Sequence, residues 1–133
     1  MLKQWIAKSS LVLAVGLGVA ASIAGPAQAA DADLDLIVGG HVVASITHHD
    51  ADDVFTVHDW WVDGHGVRGT LYMIDETGDW NRQNSVYNGK GSGEYVVMEY
   101  DIKTGVDYVM EVCTVDGSQD LIPNDCTDME ITE

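Results

Sequence analysis

Apolar and polar residues alternate with period two through the C-terminal half of the chain. In "EYVVMEYDIKTGVDYVMEVCTVDG", Val96, Met98, Tyr100 and Ile102 share one face of an extended segment, with Val97, Glu99 and Asp101 on the other. After "KTG", Val106, Tyr108, Met110 and Val112 repeat the pattern against Asp107 and Glu111, which predicts a hairpin with one buried face. A second unit is "VFTVHDWWVDGHGVRGTLYM", residues 54–73. Its flanks are β-branched and aromatic, and Gly64 and Gly66 offer positive backbone angles for a tight connection, so residues 54–62 and 67–75 are expected to pair. Phe55, Val57, Asp59 and Trp61 share a phase, as do Thr56, His58 and Trp60; neither face is cleanly dry, which suggests a bulge or cover on both sides. Upstream, "LDLIV" and "HVVASIT" predict two strands around Gly39 and Gly40, followed by a polar loop "HHDADD". The Gly- and Asn-rich stretch "TGDWNRQNSVYNGKGSG" allows one short strand near Ser85 to Tyr87. Short strands without a helix predict an all-β fold, a small antiparallel β-sandwich of about six to seven strands.

The N-terminal segment breaks this pattern. "MLKQWIAK" carries Lys3 and Lys8 and no acid; an apolar run and "PAQAA" follow, with Ala27 and Ala29 at the small-residue positions of a signal-peptidase site. Residues 1–29 are read as a cleaved signal peptide and 30–133 as a single secreted domain. A membrane anchor is the rival reading, but the apolar run falls short of the roughly 18 to 20 residues a span requires and ends at Gly25 and Pro26. No membrane association is expected after cleavage.

Cleavage sharpens the charge. The sequence has 6 Lys and Arg against 22 Asp and Glu. The leader removes two lysines and no acid, leaving Arg68, Arg82, Lys90 and Lys103 and a net charge of 4 − 22 = −18. Such a chain repels nucleic acid, whose binding depends on neutralising phosphates. It favours cations, solubility and a monomeric state. Cys113 and Cys126 are the two cysteines, and in an exported chain an even number reads first as a disulfide, here closing "CTVDGSQDLIPNDC". Cys113 leaves its strand opposite the Val106–Val112 row, so the staple should lie outside the core. The acids around the pair argue against a reactive thiol, which needs positive charge nearby.

The run "FTVHDWWVDGHGVRGTLY", followed by an acidic hairpin, a late cysteine and "PNDC", resembles small exported actinobacterial proteins of unassigned activity, over residues 54–127. The most specific piece is aromatic-T-V-x-D followed by D-G-x-G-V. In those proteins the position of His58 is often a cysteine. The resemblance implies a compact exported β domain and carries over no functional residues.

Three chemistries compete for the remaining residues. His58, His65, Asp59 and Asp63 are donor types suited to zinc or copper, but a structural zinc site needs about four converging donors and no ligand spacing marks one. Acids in "DADLD" and "HHDADD" could lend oxygens to calcium without matching its twelve-residue loop. Solvated charge and a turn-exposed His65 are the simpler readings, and no cofactor is expected. Catalysis lacks a marker: none of Ser45, Ser85, Ser92 and Ser118 sits in a G-x-S-x-G elbow, so a non-catalytic protein is favoured. The strongest functional signal is Trp60, Trp61 and Trp80, which survive cleavage. Adjacent strand residues point to opposite faces, so Trp60 and Trp61 cannot share a core; one is expected to fill it and the other to be exposed or lidded by residues 79–92. The expected role is extracellular binding of a protein or a polysaccharide, with a carbohydrate- or wall-binding tryptophan platform as the alternative.

Overall fold

Gly39 and Gly40 take φ of 58° and 81°, the paired positive angles of a two-residue hairpin turn, and they join β1 (Ala32–Val38) to β2 (His41–His49). The computed structural model describes residues 30–133; the expected leader and its cleavage point lie outside the described residues. Six further strands follow: β3 (Val54–Asp59), β4 (Gly66–Ile74), β5 (Trp80–Asn88), β6 (Tyr95–Glu99), β7 (Tyr108–Val115) and β8 (Asp125–Ile131). They form two antiparallel four-stranded sheets, ordered β1-β2-β3-β6 and β5-β4-β7-β8, stacked as a β-sandwich. Among the described residues no helix is long and apolar enough to cross a membrane.

The predicted phases hold and the predicted partners do not. Val96, Met98 and Ile102 turn inward, as do Tyr108, Met110 and Val112. Yet β6 pairs with β3, while β7 pairs with β4 and β8, so the expected hairpin around "KTG" is a connection between sheets. The expected pairing of 54–62 with 67–75 fails likewise: β3 lies between β2 and β6, and β4 between β5 and β7. Residues 60–65 cross from one sheet to the other. Gly64 has a positive φ of 78°, as expected, but Gly66 does not; a Cβ there would meet the Tyr87 ring at 2.4 Å. Three more expectations are corrected. His48 and His49 end β2 rather than opening a loop, the short strand near Ser85 extends over all of β5, and the tail adds β8, which makes eight strands.

The core lies between Leu36, Ile46, Phe55 and Val57 on one sheet and Val67, Leu71, Met110 and Val112 on the other. Gly69 lets the sheets approach: a Cβ there would sit 2.3 Å from Val57 Cγ2 and 3.2 Å from Ile46 Cδ1. Gly69→Ala should therefore destabilise by about 1–3 kcal/mol through overpacking. Urea unfolding checks this; an unchanged midpoint would mean the sheets lie further apart. Asn88, fully buried, crosses between the layers, its Nδ2 donating to the carbonyls of Val57 (3.0 Å) and Glu94 (2.8 Å) while its Oδ1 accepts from Lys90 N.

The β7–β8 pair carries the disulfide. Cys113 and Cys126 are opposite each other in register and bonded, on the outer face of their sheet as the phase predicts. Arg68 braces the enclosed loop, its guanidinium donating to the carbonyls of Asp120, Gly117 and Ser118. The β4–β5 turn is held by Asp75, whose carboxylate accepts from the Thr77 hydroxyl (2.6 Å), Asn81 Nδ2 (2.8 Å) and the amides of Thr77 and Asp79. These bonds, the Thr77 hydroxyl first, lower its pKa to about 2. A carboxylate lowered in the fold stabilises it above the ordinary carboxylate range and loses that contribution as pH falls through the folded value. The Thr77 and Asp79 amide resonances should accordingly titrate with a midpoint near pH 2; a midpoint at the ordinary 3.8 would contradict the bonding.

Candidate ligand-binding face

The outer face of β1-β2-β3-β6 is tiled by residues that register places side by side. Asp35 lies opposite Ser45, Ser45 opposite His58, and His58 opposite Tyr95. The neighbouring row runs Asp33, Thr47, Thr56, Val97. Directly opposed residues share a face, so hydroxyls, carboxylates and rings converge on one surface. Thr47 Oγ1 donates to Asp33 Oδ1 at 2.7 Å.

Trp60 completes this surface. It stands one residue past β3 and keeps the phase of His58, because its backbone N–H donates to Val43 O at 3.0 Å and continues the pairing with β2. Its indole Nε1 donates to Ser45 Oγ at 2.8 Å, and its ring stacks on the imidazole of His58 with centroids 4.6 Å apart and planes 2° from parallel. His58 in turn lies 5.1 Å from the Tyr95 ring. The indole is thus fixed by a polar pin and a stacked ring while remaining 44% exposed. Asp33, Asp35, Val42, Ser45, Thr47, His58 and Trp60 line an open depression of about 600 Å³. Burial, and secondarily the charge of His49, lowers the His58 pKa, so its ring is neutral at pH 7. His58 Nδ1 is buried without a hydrogen-bond partner.

The three tryptophans do not form one platform. All are near half exposed, so neither Trp60 nor Trp61 fills the core. Trp61 has the inward phase of Phe55 and Val57, but β3 ends at Asp59 and the chain leaves for the other sheet; Trp61 instead stacks on His41, with centroids 4.6 Å apart, at the end of the sandwich. Trp80 opens β5 in the opposite sheet and lies 5.5 Å from the Tyr72 ring. Of residues 79–92, expected as a lid, Trp80–Asn88 are that strand.

The four metal-donor candidates are similarly dispersed. His58 faces outward, whereas Asp59 is buried on the inner side and its carboxyl pKa is raised, chiefly by burial. Asp63 accepts from the His65 backbone N–H at 2.9 Å, and His65 Nδ1 lies 2.5 Å from Asp116 Oδ1 on the disulfide loop. Among the described residues the one grouping of three donor atoms within 4.8 Å is Glu111 with Cys113 and Cys126, whose sulfurs are joined to each other. Ser45 and His58 oppose each other in register, yet the Ser45 hydroxyl is bonded to the indole of Trp60, so this pair is not arranged as nucleophile and base.

Tyr95 and the pairing of Asp33 and Asp35 with Trp60 escape a reading of the sequence. A signal existed: the aspartates alternate with Leu34 and Leu36, which puts both on one face. Strand order, which brings β1 and β6 to flank β2 and β3, is what sequence phase does not carry. No family model, no curated protein and no solved structure matches the chain.

Proposed function

We propose that the protein is secreted and acts outside the cell as a non-catalytic, monomeric binding module that takes polysaccharide on the outer face of β1-β2-β3-β6. One observation carries this reading: the indole of Trp60, pinned to Ser45 and stacked on His58, offers a fixed, half-exposed ring beside the exposed carboxylates Asp33 and Asp35. A pyranose presents an apolar C–H face to such a ring and equatorial hydroxyls to flanking acceptors, and a pre-positioned indole loses little conformational entropy on binding. The disulfide supports an oxidising exterior, where such bridges persist.

A protein ligand is the second reading. Val38 and Val62 are exposed beside the half-exposed ring of Trp61 at one end of the sandwich, an apolar grouping of the kind that marks protein contacts. Calorimetric titration of the chain with soluble cell-wall polysaccharides separates the two. Binding should fall by at least about tenfold in Trp60→Ala, the loss of roughly 1.4 kcal/mol of stacking. It should survive in Trp80→Ala. Equal loss in both variants, or no heat with any polysaccharide, would overturn the assignment.

A further inference from the structure

Resting on the polysaccharide reading of the same face, we infer that the ligand is cationic: a polymer of amino sugars with free amines, such as deacetylated glucosamine chains, rather than a neutral or acetylated glycan. The depression beside Trp60 is lined by two carboxylates and by no lysine or arginine. Asp33 and Asp35 are both exposed and project from alternate positions of β1, about 7 Å apart along the strand. Asp33 has one hydrogen-bond donor, the Thr47 hydroxyl. A neutral sugar would cover these like charges without relieving their repulsion; an ammonium group between them relieves it.

The four basic residues of the mature chain all lie elsewhere. Arg68 is committed to the disulfide loop on the opposite sheet, Arg82 is in β5, and Lys103 is paired with Asp101. Lys90 donates to the carbonyl of Tyr95 at the far edge, three inter-strand spacings from Asp35, or about 14 Å. The imidazole of His58, whose pKa burial lowers, is stacked on the indole. Ring and acids then act together: the sugar's C–H face stacks on Trp60, and its protonated amine meets the ring's negative π face and the carboxylates at the rim.

A chain of net charge −18 attracts any polycation weakly, so the test has to separate recognition from bulk charge. Short glucosamine, N-acetylglucosamine and lysine oligomers of equal length are titrated calorimetrically at about pH 6 and at about 0.15 M salt, which screens distant charges. Glucosamine oligomers should bind at least about tenfold more tightly than the acetylated ones, equivalent to roughly 1.4 kcal/mol. Asp35→Asn, an exposed edge-strand change that leaves the core intact, should remove most of that preference by weakening the glucosamine oligomer far more than the acetylated one; a preference that survives the change would overturn the inference. Equal affinities for the two sugars would overturn the cationic assignment and leave the polysaccharide reading standing, whereas absence of binding by both would remove both. Lysine oligomers binding as tightly as glucosamine oligomers would show selection by charge alone and overturn the inference.

Discussion

Phe55→Ala should destabilise the protein by about 3–5 kcal/mol, the usual cost of emptying a fully buried aromatic site. Phe55 is 0% exposed and packs in the centre of the core, against the His48 ring at 4.7 Å. Trp61 shares its strand phase and is the larger side chain, so phase alone would assign it the greater cost. The structure reverses that order: Trp61 lies beyond the end of β3, 43% exposed against His41. Trp61→Ala should cost less than half as much, about 1–2 kcal/mol, because half the ring is in water in the folded state already. Denaturant unfolding of the two variants decides the matter. Equal losses would place Trp61 inside the sandwich and move the exit of the chain from this sheet.

Removing the disulfide is the next largest effect. Cys113 and Cys126 are 13 apart in sequence, and opening a ring of this size should cost about 3 kcal/mol through the freed unfolded chain. In a domain of this size that corresponds to a fall in Tm of roughly 10–20 °C. The Cys113→Ala, Cys126→Ala double variant should nonetheless fold, because β8 keeps its pairing with β7 and the carbonyls held by Arg68 are independent of the sulfurs. Thermal unfolding followed by circular dichroism measures both points. A change of less than about 1 kcal/mol would mean that residues 114–125 are already closed in the unfolded chain.

Period-two alternation encodes which face a residue occupies, and in this protein that information survives nearly intact in β6 and β7. It does not encode which strand lies alongside. Residues 60–65 and 100–107 carry the glycines and polar residues of hairpin loops, but they bridge the layers of the sandwich, and the same turn chemistry serves both tasks. The β1–β2 hairpin was legible because Gly39-Gly40 leaves little alternative to a primed turn. β5 was largely hidden: "WNRQNSVYN" has little β propensity and is held extended by pairing with β4 along its length. β8 hid its inward row, Thr127, Met129 and Ile131, among acids that face water. The same division applies to the candidate face. That His58 and Trp60 point the same way follows from phase; that Asp33, Asp35 and Tyr95 meet them follows from strand order, which depends on long-range pairing.

The claim that matters most is that ligand is bound on the outer face of β1-β2-β3-β6, around Trp60. It is tested most directly by two-dimensional NMR of the ¹⁵N-labelled chain, residues 30–133, titrated with a polysaccharide ligand. Residues 30–133 contain three indole N–H groups, those of Trp60, Trp61 and Trp80, each in a different environment. The structure predicts that the Trp60 indole resonance moves together with the amides of Asp35, Ser45, Thr47 and His58, while Trp80 and the β4–β5 amides stay in place. Shifts centred on Trp80 or on the disulfide loop, with Trp60 unmoved, would contradict it.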